Sequence, residues 1–277
     1  MSARKDIETE LAAVGALADD AAIDIGATAL ALAALDRPAV ALEPYIEHLR
    51  ALAAAVPAFA PGATTAVAQA AALREAIHVR HGYAGDTLTY DDPQNADLLR
   101  VIDRRRGLPV ALGILYLHVA RAQGWTLAGL NFPGHFLLRL EAGDRQIVLD
   151  PFRGGAELDA GDLRELLKRM AGPAAELEAG HYRAVSCRDV LLRLQNNIKT
   201  RALQAGDAER AAQVLHSMLL LAPSQAPLWR ELGVIEAERG NLQHAVAAFQ
   251  SCLSHATDAS LQRDAAAFLR RLRNKLN

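Results

Sequence analysis

His135 and Asp150 are the two residues of this 277-residue chain whose types and spacing point to chemistry. A carboxylate beside an imidazole fixes the ring's tautomer and favours its protonated form, which is how acyl-transfer and cysteine-hydrolase sites orient their base. The two residues flank Glu141-Ala142-Gly143-Asp144, a turn-forming string between two apolar, strand-like runs. If Leu140 and Arg145 close that hairpin, every rung follows and His135 falls opposite Asp150. Both side chains then share one face, with Cβ atoms about 5 Å apart. The same pair, without a third partner, also reads as a structural contact that holds the hairpin in place.

Other candidates carry less. Cys187 and Cys252 both follow the hairpin, in helical stretches without the electropositive, accessible setting of a catalytic thiol. They lack Cys-x-x-Cys spacing, so neither a disulfide framework nor a thiolate zinc site is expected. His78 and His81 can share a helix face, and Asp91 and Asp92 follow, but no His-Glu-x-x-His spacing appears. They read as surface histidines, and no metal or cofactor is expected. Tyr116 and His118 lie about two turns inside an apolar helix and read as packing residues with polar tips.

The elements that must position the pair follow from periodicity. Leu42, Tyr45, Ile46 and Leu49 mark one of several short helices, punctuated by Pro38, Pro57 and Pro61. Residues 81–95 are turn chemistry without periodicity, a loop between helical layers. A helix beginning near Leu98 ends near Gly107, and Pro109 fits the first position of the next. Residues 110–122 are apolar all round, which predicts a buried central helix. Runs over 125–132, 135–140 and 145–150 then read as strands, and 158–170 as a helix. Helices before and after a small antiparallel sheet define an α+β class.

From Cys187 onward the pattern is helical and repeats. A shift of 34 residues superposes Gly206 on Gly240, Ala211 on Ala245, Leu215 on Phe249 and Leu219 on Leu253, the period of the tetratricopeptide hairpin. Trp229, Leu232, Gly233, Ala245 and Phe249 stand at the spacings of that motif, with Glu236 where tyrosine is usual. Two copies are short of the three or so a free array needs, so the helix with Leu261, Ala265, Phe268 and Leu272 is expected to cap them and the first copy to dock on the preceding domain. The expected division is 1–184 and 185–277.

Charge excludes some classes. The formal net charge is −2, with 30 basic and 32 acidic residues, which provides no field for nucleic acid or anionic lipid. Arg104, Arg105 and Arg106 form a short basic run that reads as a solvated helix end. The N-terminus lacks a secretory pattern, and no uncharged apolar run reaches the roughly 18 residues of a membrane span. A cytoplasmic protein with neither nucleic-acid nor membrane partners is expected.

Longer motifs carry a family resemblance. Arg106-Gly107-Leu108-Pro109 opening a buried helix, Gly124 at its end, Phe132-Pro133-Gly134-His135-Phe136 and Leu149-Asp150-Pro151-Phe152 resemble the SirB-one family of bacterial transglutaminase-like proteins. Gly82-Tyr83-Ala84-Gly85-Asp86, Tyr90-Asp91-Asp92-Pro93-Gln94-Asn95 and the tetratricopeptide tail resemble it too. The resemblance implies a helical N-terminal layer with a small sheet of transglutaminase-like, papain-like type, followed by an all-α hairpin array. In active members of the wider superfamily a Gly-x-Cys opens the central helix, where the dipole lowers the thiol pKa. The corresponding triplet here is Gly107-Leu108-Pro109. Histidine and aspartate carry over to His135 and Asp150; the nucleophile does not.

That loss implies a non-catalytic cleft that recognises a peptide or protein, lined by Leu108, Pro109 and Val110, by Gly134 and His135, by Asp150, and by Tyr90, Asp92 and Asn95. The alternative is an amide or ester hydrolase in which His135 activates water and Asp150 orients it. In the third reading the pair only stabilises the hairpin.

Overall fold

The computed structural model describes residues 2–276. It divides into two compact units, one spanning Asp19–Leu194 and one formed by residues up to Ala18 together with those from Gln195 onward. This differs from the expected division in two ways. The first helix joins the repeat unit, and the border falls inside a helix rather than at 184/185.

In chain order, α1 (Ser2–Gly15) is followed by α2 (Ile25–Ala34), α3 (Glu43–Ala55) and α4 (Ala66–Arg74), which continues as a π turn at Glu75–Arg80. Asp24 and Thr65 cap α2 and α4 by accepting from the amides of Ala27 and Ala68. Strand β1 (Ala84–Gly85) precedes α5 (Leu98–Arg104), and β2 (Arg106–Gly107) returns parallel to β1. Pro109 takes the first position of α6 (Pro109–Ala122), as expected. Residues 109–117 of α6 are all buried, so this is the central helix.

The sheet follows: β3 (Thr126–Leu130), β4 (Leu138–Ala142), β5 (Arg145–Asp150) and β6 (Ala156–Leu158), then α7 (Ala160–Ala171) and β7 (Ala184–Val185). Its order is β6-β5-β4-β3-β7, antiparallel throughout. The expected register is corrected here. Ala142 pairs with Arg145 and Leu138 with Leu149, so each rung lies two residues further along than a Leu140–Arg145 closure gives. Gly143 at φ 63° and Asp144 at negative φ form the two-residue turn that a hairpin prefers, which replaces the expected four-residue loop. A slip of two keeps every side chain on its face.

The second unit holds α8 (Cys187–Gln204) from Gln195 on, α9 (Ala208–Leu221), α10 (Ala226–Glu238), α11 (Leu242–His255) and α12 (Ala259–Leu276). Helices α9 and α11 begin and end one 34-residue period apart, and Gly206 and Gly240 before them share positive φ. Phe249 is fully buried and stacks on Phe268 of α12 at 5.1 Å, which makes α12 the expected cap. Glu236 is buried because Arg239 and Asn241 both donate to its carboxylate, fixing the α10–α11 turn. Helix α1 packs on α9 so closely that a Cβ on Gly15 would lie 2.0 Å from the Leu220 carbonyl oxygen.

A polar knot ties α3 to the first two strands. Arg105, at φ 57°, donates to Tyr83 Oη and His48 Nε2, with its guanidinium 4.7 Å from the Tyr83 ring centroid. Burial and the Arg105 charge lower the His48 pKa from 6.5 to about 4. Between those values the unfolded chain binds a proton that the folded chain refuses, so stability falls as pH drops from 6.5 to 4 and this contribution levels off below 4. Urea titrations at pH 4, 5, 6 and 7 are expected to show a steeper slope for the native chain than for His48→Gln; equal slopes would remove His48 from the acid response.

Candidate functional site

The ladder between β4 and β5 starts at Leu138, which leaves His135 in the irregular segment before β4. It still meets Asp150: Nε2 and Oδ1 are 3.0 Å apart, with His135 9% and Asp150 2% exposed. The contact is diagonal rather than directly opposite, a distance that an imidazole can span. Asp150 ends β5 and caps the 3-10 turn Pro151–Arg153, its Oδ1 also accepting from the Phe152 amide at 2.9 Å. With Nε2–H donating to Asp150, Nδ1 is the ring's basic nitrogen.

The His135 segment is held from several sides. Arg193 of α8 donates to the carbonyls of Phe132 and His135 at 3.1 and 2.7 Å, and its guanidinium lies over the Phe136 ring. Phe136 fills the space that two glycines leave: a Cβ on Gly113 would come within 2.3 Å of its ring and one on Gly129 within 2.7 Å. Gly134 adopts φ 67° against Met170, which is 45% exposed. Phe152 meets the His135 ring edge-on at 6.1 Å and the Tyr90 ring at 5.7 Å, and packs over Gly85. Phe136 against Gly113 and Gly155 against Tyr116 set the segments that carry the pair on the middle of α6.

The residues expected to line a cleft separate into two groups. Gly134, next to His135 in the chain, and Tyr90, against Phe152, are exposed. Leu108 and Val110 are 1% and 2% exposed and Pro109 is buried, so these side chains back the site from inside. The Leu108 N–H donates to the Asn95 carbonyl, and Pro109 has none to offer. Asn95 is fully buried and donates to the carbonyls of Thr89 and Tyr90, while Asp92 caps the turn before it. Both pin the loop that presents Tyr90.

Asp86 is the anchor of that loop. It accepts from the amides of Leu88 and Thr89, from the Thr89 hydroxyl and from Arg104; the Thr89 amide and hydroxyl, with Asn95 and the Leu88 amide, hold its carboxyl well below the usual range. The basic run at 104–106 is therefore built into the site's frame: Arg104 bonds Asp86 and Asn95, Arg105 the Tyr83 knot, and Arg106 the Gly82 carbonyl. Asp86→Ala is expected to cost about 3 kcal/mol by leaving the Arg104 charge without its carboxylate. Hydrogen exchange at 88–95 checks it; protection equal to that of the native chain would refute the anchor.

Both cysteines are engaged elsewhere. Cys187 Sγ accepts from Arg121 in the last turn of α6, about 20 Å along the helix from Pro109, and burial pushes its thiol up. Cys252 lies in the core of the other unit. His78 bonds the Tyr83 carbonyl and packs on Gly154, and His81 meets the His48 ring edge-on. The buried Tyr116 hydroxyl, next to Gly155, finds no donor or acceptor, and burial raises its pKa. Met170 and Arg193 escape sequence reasoning, because each acts through tertiary contact and neither sits in a motif; Phe152 ends the Leu149–Phe152 motif, which does not signal its ring contacts.

A buried helix packed against an antiparallel sheet, with a histidine and an aspartate joined at the sheet's end, defines a transglutaminase-like α+β domain. A family model for the transglutaminase-like superfamily matches residues 43–196, and one for the tetratricopeptide repeat matches 198–274. The UPF0162 protein of Xylella fastidiosa strain 9a5c is 30% identical over 236 residues, covering 82% of each chain. UPF0162 protein PA3419 of Pseudomonas aeruginosa is 35% identical over 161 residues, 56% of this chain and 58% of that one. Human F-box only protein 21 is 28% identical over 163 residues, 56% of this chain and 25% of that one. The chain belongs to the transglutaminase-like superfamily and carries tetratricopeptide repeats. Among the described residues, no helix is long and apolar enough to cross a membrane.

Proposed function

We propose that this chain is a non-catalytic, protein- or peptide-binding scaffold of the bacterial cytoplasm, in the SirB-one branch of the superfamily. The observation that carries the reading is proline at the first position of α6, where the superfamily mechanism needs a thiolate. Tyr90 against Phe152 and Met170 against Gly134, 41% and 45% exposed, support recognition of an apolar side chain near this segment. Tetratricopeptide repeats add a surface of a kind that generally serves protein interaction. Neither nucleic acid nor membrane is among the partners proposed.

The test places a photo-crosslinking residue at position 90, at 170 and, as a control, at the exposed Val79. One partner captured from 90 and 170 but not from 79, and lost on His135→Ala, is the expected result. Capture from 79 alone, or none from 90 and 170, overturns the reading. A second reading rests on the intact His135–Asp150 hydrogen bond: His135 as base toward water in amide or ester hydrolysis. His135→Ala and Asp150→Asn would each abolish such turnover, and activity unchanged in both would end it.

A further inference from the structure

Asp150 commits only one carboxylate oxygen within the chain. Oδ1 takes both His135 Nε2 and the Phe152 amide; Oδ2 has no donor among the described residues. Asp150 is 2% exposed, and Oδ2 is not among the fully enclosed atoms left without a partner, so this oxygen keeps a small opening to its surroundings. The residue also forms part of the wall of a cavity of about 290 Å³. That volume sits at the small end of ligand pockets.

The cavity's other walls set the chemistry. Leu158 and Leu166 line it and are buried, while Arg153 and Arg169 stand exposed at its mouth. Glu165 draws on Arg169 at 3.9 Å. Asp162 turns its carboxylate to the Asp159 amide as half of a capping box. Arg153 has no carboxylate partner among the described residues, so the cavity offers an unused acceptor within and an unused cation at its edge.

We propose that this cavity binds a small zwitterion, with its ammonium on Asp150 Oδ2 and its carboxylate on Arg153. The inference rests on reading Asp150 as a recognition group, but it uses the oxygen that His135 does not. An amine alone leaves Arg153 unsatisfied, and a carboxylate alone meets Asp150 with like charge. Asp150 and Arg153 lie at the two ends of a 3-10 turn, a rise of about 6 Å. That spacing suits an ammonium and a carboxylate separated by several atoms, as in an ω-amino acid or a dipeptide, and the two leucines cover the chain between them.

The test is calorimetric titration of the full chain at pH 7 with 4-aminobutyrate, 6-aminohexanoate and glycylglycine, against 1-aminobutane and butyrate. At least one zwitterion is expected to saturate with a Kd about ten-fold below both single-charge controls. Arg153→Gln is expected to raise that Kd about ten-fold while leaving the weak binding of 1-aminobutane in place. Preference for glycylglycine over the ω-amino acids would identify a peptide source, and the reverse a free amino acid. No saturation by any of the three, equal affinity for 1-aminobutane, or no effect of Arg153→Gln in a folded variant overturns the proposal. Tyr90→Ala leaves the zwitterion Kd unchanged and disrupts partner capture, so the cavity and the scaffold reading fail separately.

Discussion

Pro109→Cys is expected to yield a thiol that iodoacetamide alkylates at pH 6.5 roughly a hundred times faster than Cys187. The new sulfur would sit at the first position of α6, where the helix dipole favours a thiolate. Cys187 is the internal reference, with its thiol pushed up by burial and bound to Arg121. Losing the proline costs little at this position, since the N–H it lacks is one the first turn leaves unpaired. Adding His135→Ala to Pro109→Cys is expected to slow alkylation. Labelling no faster than at Cys187, in a folded variant, would show that the helix start and the His–Asp pair do not form one site.

Gly113→Ala is the second large effect, and its sign is diagnostic. In an open helix the change would stabilise by about 1 kcal/mol. Here the added Cβ meets the Phe136 ring at 2.3 Å, with Gly129 closing the other side, so the ring has nowhere to move. A net loss of about 2–3 kcal/mol is expected from overpacking, read from denaturant midpoints. Phe136→Leu in the Gly113→Ala background should recover part of it. Because Phe136 follows His135 in the chain, the single variant should also disturb the His135 ring signals. Stability equal to or above that of the native chain would mean that Phe136 does not lock this segment.

The α+β class, the central helix and the 34-residue repeat were legible in the sequence because each rests on periodicity or on a turn residue with one favoured place. Pro109 and Gly206 with Gly240 are of this kind. The pairing of His135 with Asp150 was expected, but from a register two residues short: two closures of the same hairpin share face parity, and only Gly143's backbone selects between them. The inward burial of Asn95 and Leu108 was not legible, since polar or helix-opening residues near a site look the same whether they line it or brace it. Arg193 and Met170 reach the His135 segment from distant helices, and no local pattern signals such contacts.

Helix α1 has a temporal consequence. Its Leu11 is wholly shielded in the finished molecule, and the surface on which α1 rests is α9. A ribosome adding 5–20 residues per second needs about 200 further additions, some 10–40 s, before that surface exists. Through that interval the α1 segment stays uncovered, a natural handle for chaperones, and the synthesis of α9 decides when it is put away.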